Sequence, residues 1–317
     1  MEFKNPYIFF CNAIGDYIMA LPTLRALNQL FEGRLSIVYN SGKINEYLLS
    51  EFNFRRSVGI EFNHSDGERR FDPILLSDTM QDCDLFLYLN TWIYSEDIRI
   101  LLNGLPLLKK SAGYYPCFSN QVPYSTAIHN FDLYFRMVHL FDKELSIENF
   151  SHPPKLNEAY ENIYTEVKKT KLSSIQYLSV HFDSEPEKSI ESHLYRPFLE
   201  KILDDNPDIF IIPLGLEKIK LTEKYEDRIV TFGMPLPFLI ATAYLSCSDY
   251  FIGVDSCFLH LADLFQVPST GLFGPTSEVE FGFRFNRDYT YICPETRELK
   301  DIDYRSVYKR FNELLDV

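Results

Sequence analysis

Short runs of consecutive apolar residues alternate along the chain with stretches whose apolar positions fall three and four apart. Tyr7 to Cys11 reads as a buried strand, and Asn12 to Asp16 as a turn containing a glycine. From Tyr17 to about Leu30 the residues Ile18, Leu21, Leu24, Leu27 and Phe31 keep helical spacing. Pro22, about one turn in, predicts an irregular or kinked first turn. Leu35 to Tyr39 is the next strand, so the chain opens on a β-α-β unit. Residues 43–130 are less regular. There, 85–89 reads as a strand, 96–108 as a helix and 114–124, with Pro116 and Pro123, as a loop. Residues 132–141 read as a helix and 142–157, with Pro153-Pro154, as a linker.

The alternation then restarts. Helices are predicted at 158–169, 195–204, 217–225 and 236–245, and strands at 177–181, 209–214 and 229–231. Residues 250–276 are the most informative stretch: a buried strand to Val254, a turn at Asp255-Ser256, a short helix, a strand over 269–273 and a Gly-Pro turn. Asp255 or Ser256 stands where a helix N-cap belongs. The N–H groups of Cys257, Phe258 and Leu259 would face outward at the C-terminal end of a parallel strand, where open α/β sheets bind ligands. A helix N-terminus there favours an anion such as phosphate. A last helix covers 305–315. The expected architecture is α/β, with two Rossmann-like domains, 1–155 and 156–317, facing across a cleft. The last helix is free to fold back on the first domain.

A net charge of −14 argues against nucleic acid or an anionic membrane held by bulk electrostatics, so membrane contact is expected to be peripheral at most. The six cysteines form no Cys-x-x-Cys pair, and no histidine cluster has metal spacing, which fits buried thiols in a reducing compartment. With no leader pattern and no apolar run of about 18 residues, the chain reads as cytoplasmic, at most at the inner face of the membrane. Dinucleotide, P-loop and nucleophile-elbow patterns are missing.

Two stretches carry a resemblance. Gly15-Asp16, followed by Leu21-Pro22-Thr23-Leu24-Arg25-Ala26-Leu27, is similar to the N-terminal signature of glycosyltransferase family 9, the heptosyltransferases. Val254-Asp255-Ser256, Leu259-His260-Leu261-Ala262, Val267-Pro268 and Leu272-Phe273-Gly274-Pro275-Thr276 resemble its C-terminal signature. Order and spacing agree at both ends of the chain.

The resemblance implies a GT-B fold in which the first domain takes a glycan or glycolipid acceptor and the second a nucleotide-sugar donor. It implies an inverting, metal-independent transfer of heptose from ADP-heptose to a surface-glycan or lipopolysaccharide-core hydroxyl, with no cofactor. Asp16 matches the general base, which takes the acceptor proton as its oxygen attacks the anomeric carbon. Lys188 matches the cation on the diphosphate leaving group. Gly15, His181, Asp255, Ser256, Cys257, His260 and Thr276 match the donor site. Glu217 falls near the ribose position, and Gly233-Met234 near the adenine-contacting backbone. The chain departs from the family at Cys257, where a glycine is usual, at Phe182-Asp183, and at Ile190, where a tryptophan is frequent. Asp183, Glu185 and Glu187 place negative charge in sequence around Lys188. The alternative reading is a catalytically weak GT-B nucleotide-binding protein or partner subunit. For a lipid acceptor, the aromatic loop around Tyr114, Tyr115 and Phe118 is the expected contact.

Overall fold

Parallel strands covered on both faces read as unbroken apolar runs, and this signal locates both sheets. The computed structural model describes residues 2–65, 68–92, 95–216, 218–232, 236–286, 289–293 and 296–315. It divides into two compact units, Met1–Lys155 and Leu156–Val317.

In the first unit, β1 (Pro6–Phe10) leads into α1 (Ile14–Leu30) and β2 (Ser36–Asn40), then α2 (Lys43–Leu49) and β3 (Arg56–Ile60). A hairpin, β4 (Asn63–Ser65) and β5 (Glu68–Arg70), precedes α3 (Pro73–Thr79), β6 (Leu85–Tyr88) and α4 (Ser95–Asn103). β7 (Lys110–Gly113), β8 (Asn120–Gln121) and α5 (Asn130–Phe135) complete the regular elements. Six strands form one sheet in the order β3-β2-β1-β6-β7-β8, and its strand pairs are parallel. The chain therefore reverses direction across the sheet between β1 and β6. That reversal opens a crevice at their C-terminal ends.

Helix α1 begins three residues earlier than its spacing predicts, so Gly15 and Asp16 belong to its first turn and not to a loop. It runs unbroken through Pro22, with residues 17–27 all buried. A helix buried on every side gains enough from packing to absorb the backbone hydrogen bond that a proline lacks. Arg25, on the same helix, is buried and holds Glu51 through Nη2 and Nε, at 2.9–3.2 Å. It also donates to the carbonyls of Phe150 and His152, each at 2.7 Å, and of Pro153 at 3.3 Å. The segment read as a plain linker is thus tied to α1. It contains a 3-10 turn at Ile147–Phe150.

Of the aromatic loop expected to meet lipid, Tyr115 alone is half-exposed. Tyr114 and Phe118 are buried. Phe118 stacks on Tyr88 at 5.3 Å, and Tyr88 on Phe9 at 5.2 Å. Gly113 is needed there because a Cβ would stand 2.5 Å from the Phe118 ring. The expected helices at 96–108 and 132–141 are shorter than their apolar spacing suggests. The second breaks into a 3-10 turn at Val138–Leu140.

In the second unit, α6 (Glu158–Thr170), β9 (Gln176–His181), α7 (Ser192–Asp205), β10 (Ile209–Pro213), α8 (Phe238–Ser246), β11 (Tyr250–Val254), α9 (Cys257–Phe265) and β12 (Ser269–Phe273) follow in order. A short α10 (Glu278–Phe281), β13 (Tyr291–Ile292) and α11 (Tyr304–Leu315) complete it. The sheet order is β10-β9-β11-β12-β13, again parallel, with its reversal between β9 and β11. In place of the helix expected at 217–225, a 3-10 helix covers Glu223–Arg228. The strand expected at 229–231 is a single bridge from Ile229 to Ile211. Helix α11 inserts Val307, Phe311 and Leu314 into this unit's own core.

Asp263 of α9 is fully buried and accepts the N–H groups of Arg284, Phe285 and Asn286 at 2.9, 3.0 and 2.7 Å. Burial outweighs those donors and pushes its carboxyl up to about 6. Because the folded value lies above the unfolded one, the native state binds the extra proton between about pH 4 and 6. Its stability falls as pH rises through that window and is level above it. Asp263→Asn is expected to remove this slope, worth roughly 2–3 kcal/mol between pH 4 and 7 relative to the parent chain. Urea unfolding of both chains across that range measures it, and parallel pH profiles would refute the assignment.

Candidate functional site

The carboxyl end of the first sheet gathers residues far apart in sequence. Asn90, just past β6, is fully buried. Its amide nitrogen donates to the Cys11 carbonyl at 2.7 Å, and its oxygen accepts the Cys11 N–H at 3.0 Å. One side chain thus bridges the two strands at the reversal point. The next residue, Asn12, accepts the indole N–H of Trp92 at 3.2 Å and the Ala13 N–H at 3.0 Å. One turn on, Asp16 accepts the hydroxyl of Tyr134, from α5, at 2.8 Å. Burial and the Asp16 charge hold the Tyr134 phenol well above its ordinary pKa, so it remains a donor. Tyr17 donates to the Phe10 carbonyl and to Asn40 at 2.5 and 2.7 Å, which locks the start of α1 against β1 and β2. Asp16 also sits in the first turn of α1, where the helix dipole favours its charge.

The second unit places His181, Lys188, Asp255, Ser256, Cys257, His260 and Thr276 around its own reversal point. β9 ends at His181, and β11 delivers Asp255 beside it. Asp255 is buried. Its carboxylate lies 3.4 Å from Lys188 Nζ and 3.6 Å from His260 Nε2. Burial raises the Asp255 carboxyl, opposed by Lys188 and Thr276. Lys188 is mostly covered and does not project freely into solvent. Its loop is set by reciprocal bonds between Ser184 and Ser189 and by the Ser184 hydroxyl, which donates to the Asp255 carbonyl at 3.2 Å.

The acidic neighbours of Lys188 divide. Glu185 and Glu187 are exposed, whereas the Asp183 carboxylate lies against Gly215 so closely that any Cβ there would overlap it. Ile190, where the family has tryptophan, fills the core with Phe182.

Ser256 occupies the N-cap position of α9, but its hydroxyl makes no cap bond and is buried with no partner. Asp255 likewise serves as an ion-pair partner and not as a cap. The N–H groups of Leu259 and His260 reach the Ser256 carbonyl. Those of Cys257 and Phe258 lie against the Cys257 thiol. The His181 ring is also buried, with Nδ1 unpartnered, and Phe258 lies against it at 4.8 Å. Burial lowers the His181 pKa to about 4, so the ring is neutral at physiological pH. Burial pushes the Cys257 thiol up to about 12 and keeps it uncharged. Gly253 cannot carry a side chain, since a Cβ would overlap the Phe251 ring and stand 3.1 Å from the His181 carbonyl. A cation, a hydroxyl and a neutral imidazole therefore lie with a buried carboxylate at this end of the sheet. Those donors suit a phosphate-bearing ligand.

Gly15 and Asp16 belong to the first unit's end and the seven residues above to the second's. Glu217, Gly233 and Met234 lie outside the described residues. Asn12, Asn90, Trp92 and Tyr134 were missed from sequence. A polar Asn directly after the apolar run 85–89 was the one available signal. Among the described residues no His, Cys, Asp and Glu cluster has the form of a metal site, and no helix is long and apolar enough to cross a membrane.

Comparison with known proteins agrees with this layout. Residues 219–311 match the model of glycosyltransferase family 9 (heptosyltransferase). No curated protein sequence matches the chain. Among solved structures, a glycosyltransferase family 9 protein from Veillonella parvula is similar at 14% identity and TM-score 0.72, over 99% of this chain and 97% of its own. The ADP-heptose lps heptosyltransferase II of E. coli matches at 16% identity and TM-score 0.67, over 98% of each chain. The E. coli heptosyltransferase WaaC with ADP matches at 13% identity and TM-score 0.65, over 98% of this chain and 99% of its own. The two parallel α/β units are those of the GT-B fold. Residues 219–311 are thus similar in sequence to glycosyltransferase family 9 (heptosyltransferase), and nearly the whole chain has the GT-B fold of these solved structures.

Proposed function

We propose that the protein is an inverting glycosyltransferase that moves heptose from ADP-heptose to a hydroxyl of a surface glycan or lipopolysaccharide core. The observation that carries this reading is the mouth of α9. There Lys188 lies beside Asp255, and the Ser256 hydroxyl and His181 Nδ1 are buried and unpartnered at the same end of the sheet. The leaving group of such a transfer is a nucleoside diphosphate, and these donors meet its growing negative charge. At 3.4 Å, the Lys188–Asp255 contact is longer than a strong charge-assisted bond, so the ammonium retains capacity for phosphate oxygens.

Asp16, oriented by Tyr134, takes the proton from the acceptor hydroxyl while that oxygen attacks the anomeric carbon from the face opposite the departing diphosphate. The anomeric configuration is inverted, with one bond formed as the other breaks. The donor is ADP-linked and the protein works at the cytoplasmic face of the membrane. One observation favours a nucleotide-binding protein without turnover: Cys257 stands where the family has glycine, and its side chain narrows the phosphate's approach to the backbone.

Calorimetry with ADP, UDP and GDP, with and without magnesium, tests the reading. ADP is expected to bind best and without the metal. Lys188→Ala is expected to weaken it about 10- to 100-fold, the loss of one charged hydrogen-bond partner. Preference for UDP or GDP would overturn the heptose donor, and no binding to any of the three would overturn the donor site.

A further inference from the structure

We infer that Arg297 is a positioning residue of the donor site, which sets the turn that brings Thr276 to Asp255. This rests on the reading that the second unit's reversal point receives the nucleotide-sugar. Gly274-Pro275-Thr276 leaves β12 at the carboxyl end of the sheet and lies between β12 and α10, outside both. The Thr276 hydroxyl is buried. With Lys188, it is one of the two groups that hold the Asp255 carboxyl down against the effect of burial.

Arg297 grips this turn at both ends. The Arg297 carbonyl and the Leu299 backbone nitrogen stand 3.1 and 3.0 Å from where a Cβ on Gly274 would be, so the 297–299 backbone lies directly on the start of the turn. The guanidinium reaches the other end. Its Nη2 donates to the Thr276 carbonyl at 2.7 Å and to the Glu278 carboxylate at 2.9 Å. Arg297 does this from a φ of 59°, in the left-handed region. A residue other than glycine enters that region at a cost and stays only where its surroundings over-determine it. Here Leu299 is buried, and the Thr296 hydroxyl donates to Asp301 and accepts the Glu298 N–H at 3.2 Å.

The ion pair with Glu278 is 39% and 31% exposed and contributes little by itself. The Thr276 carbonyl is the more telling acceptor, because holding that planar peptide also limits where the Thr276 side chain can stand. If the turn drifts, Asp255 loses Thr276 and keeps Lys188. The ammonium then engages the carboxylate more fully and has less capacity for a diphosphate.

Calorimetry with ADP on Arg297→Gly, Thr276→Val and the double variant tests this. Glycine accepts the left-handed backbone freely, so Arg297→Gly removes the side chain without adding strain, and its urea midpoint should stay close to the parent's. ADP affinity is expected to fall about tenfold in each single variant. The double variant should also fall about tenfold and not a hundredfold, because both changes act through one contact. Arg297→Lys should lie between parent and Arg297→Gly, since an ammonium cannot reproduce the guanidinium's reach. It carries the test if the glycine variant does not fold: combined with Thr276→Val, it should weaken ADP no further than Thr276→Val alone.

Parent-like affinity in Arg297→Gly overturns the proposal and marks Arg297 as a brace for the fold alone. A hundredfold loss in the double variant overturns it too, because the effects are then independent. If the parent chain does not bind ADP, the donor reading itself fails and takes this proposal with it. If Lys188→Ala weakens ADP and the Arg297 variants do not, the donor reading stands and only the proposal falls.

Discussion

Asp16→Asn is expected to lower kcat by about 10²–10⁴-fold while leaving ADP affinity within about twofold. The amide keeps the size of the side chain and can still accept from Tyr134, so α1 and its neighbours are undisturbed. What it lacks is the capacity to take a proton at neutral pH. A nucleophilic hydroxyl that cannot shed its proton must carry positive charge through the transition state, and the barrier rises accordingly. ADP release from ADP-heptose in the presence of acceptor is the measurement. Full activity in the variant would remove Asp16 from the mechanism. Loss of ADP binding together with activity would show that the residue serves the donor.

Arg25→Ala is expected to cost about 3–5 kcal/mol of the first unit's stability. The guanidinium is 7% and the Glu51 carboxylate 4% exposed, so truncation leaves a buried anion and three carbonyls without their donor. The double variant Arg25→Ala/Glu51→Ala should recover part of the loss, because the stranded charge goes with its partner. Arg25→Lys should not recover all of it, since an ammonium cannot reproduce the fork that reaches Glu51 and the backbone together. Thermal and urea unfolding of the three variants give the values. A loss below about 1 kcal/mol in Arg25→Ala would show that the clamp is dispensable.

The central strands were legible because a strand covered on both faces is apolar at consecutive positions, as in 7–11, 85–89 and 250–254. β3 was not, because as an edge strand it carries Arg56, Ser57 and Gly59 exposed. β7, β8 and β13 are too short for any period to show. The missed early start of α1 has a local cause: Ala13 caps by position only, so no side chain announces the boundary. The 3-10 helix at 223–228 defeats a reading based on a period of 3.6 because its own period is 3.

The candidate site divides in the same way. Asp255, Ser256, Cys257 and His260 lie within six residues and announce themselves as a motif. Lys188 is brought to them by the order of strands and Tyr134 to Asp16 by the packing of α5 on α1, and no local pattern records either. The sequence offered Asp255 or Ser256 as the cap, and Ser256 holds that position. The structure shows its hydroxyl idle, a difference that points to a ligand.

The way each core is closed also sets an order of events during synthesis. Arg25 engages carbonyls up to Pro153, so the first unit is complete once that segment has emerged. The second unit lacks Val307, Phe311 and Leu314 of its core until the residues of α11 are made. At roughly 5–20 residues per second, the ribosome takes on the order of ten seconds to cover that interval. At its end, once β13 is made and before α11 is, a finished amino-terminal half is joined to a second half whose apolar flank is still uncovered. The flank faced by α11 is therefore the surface that a chaperone at the exit port would meet.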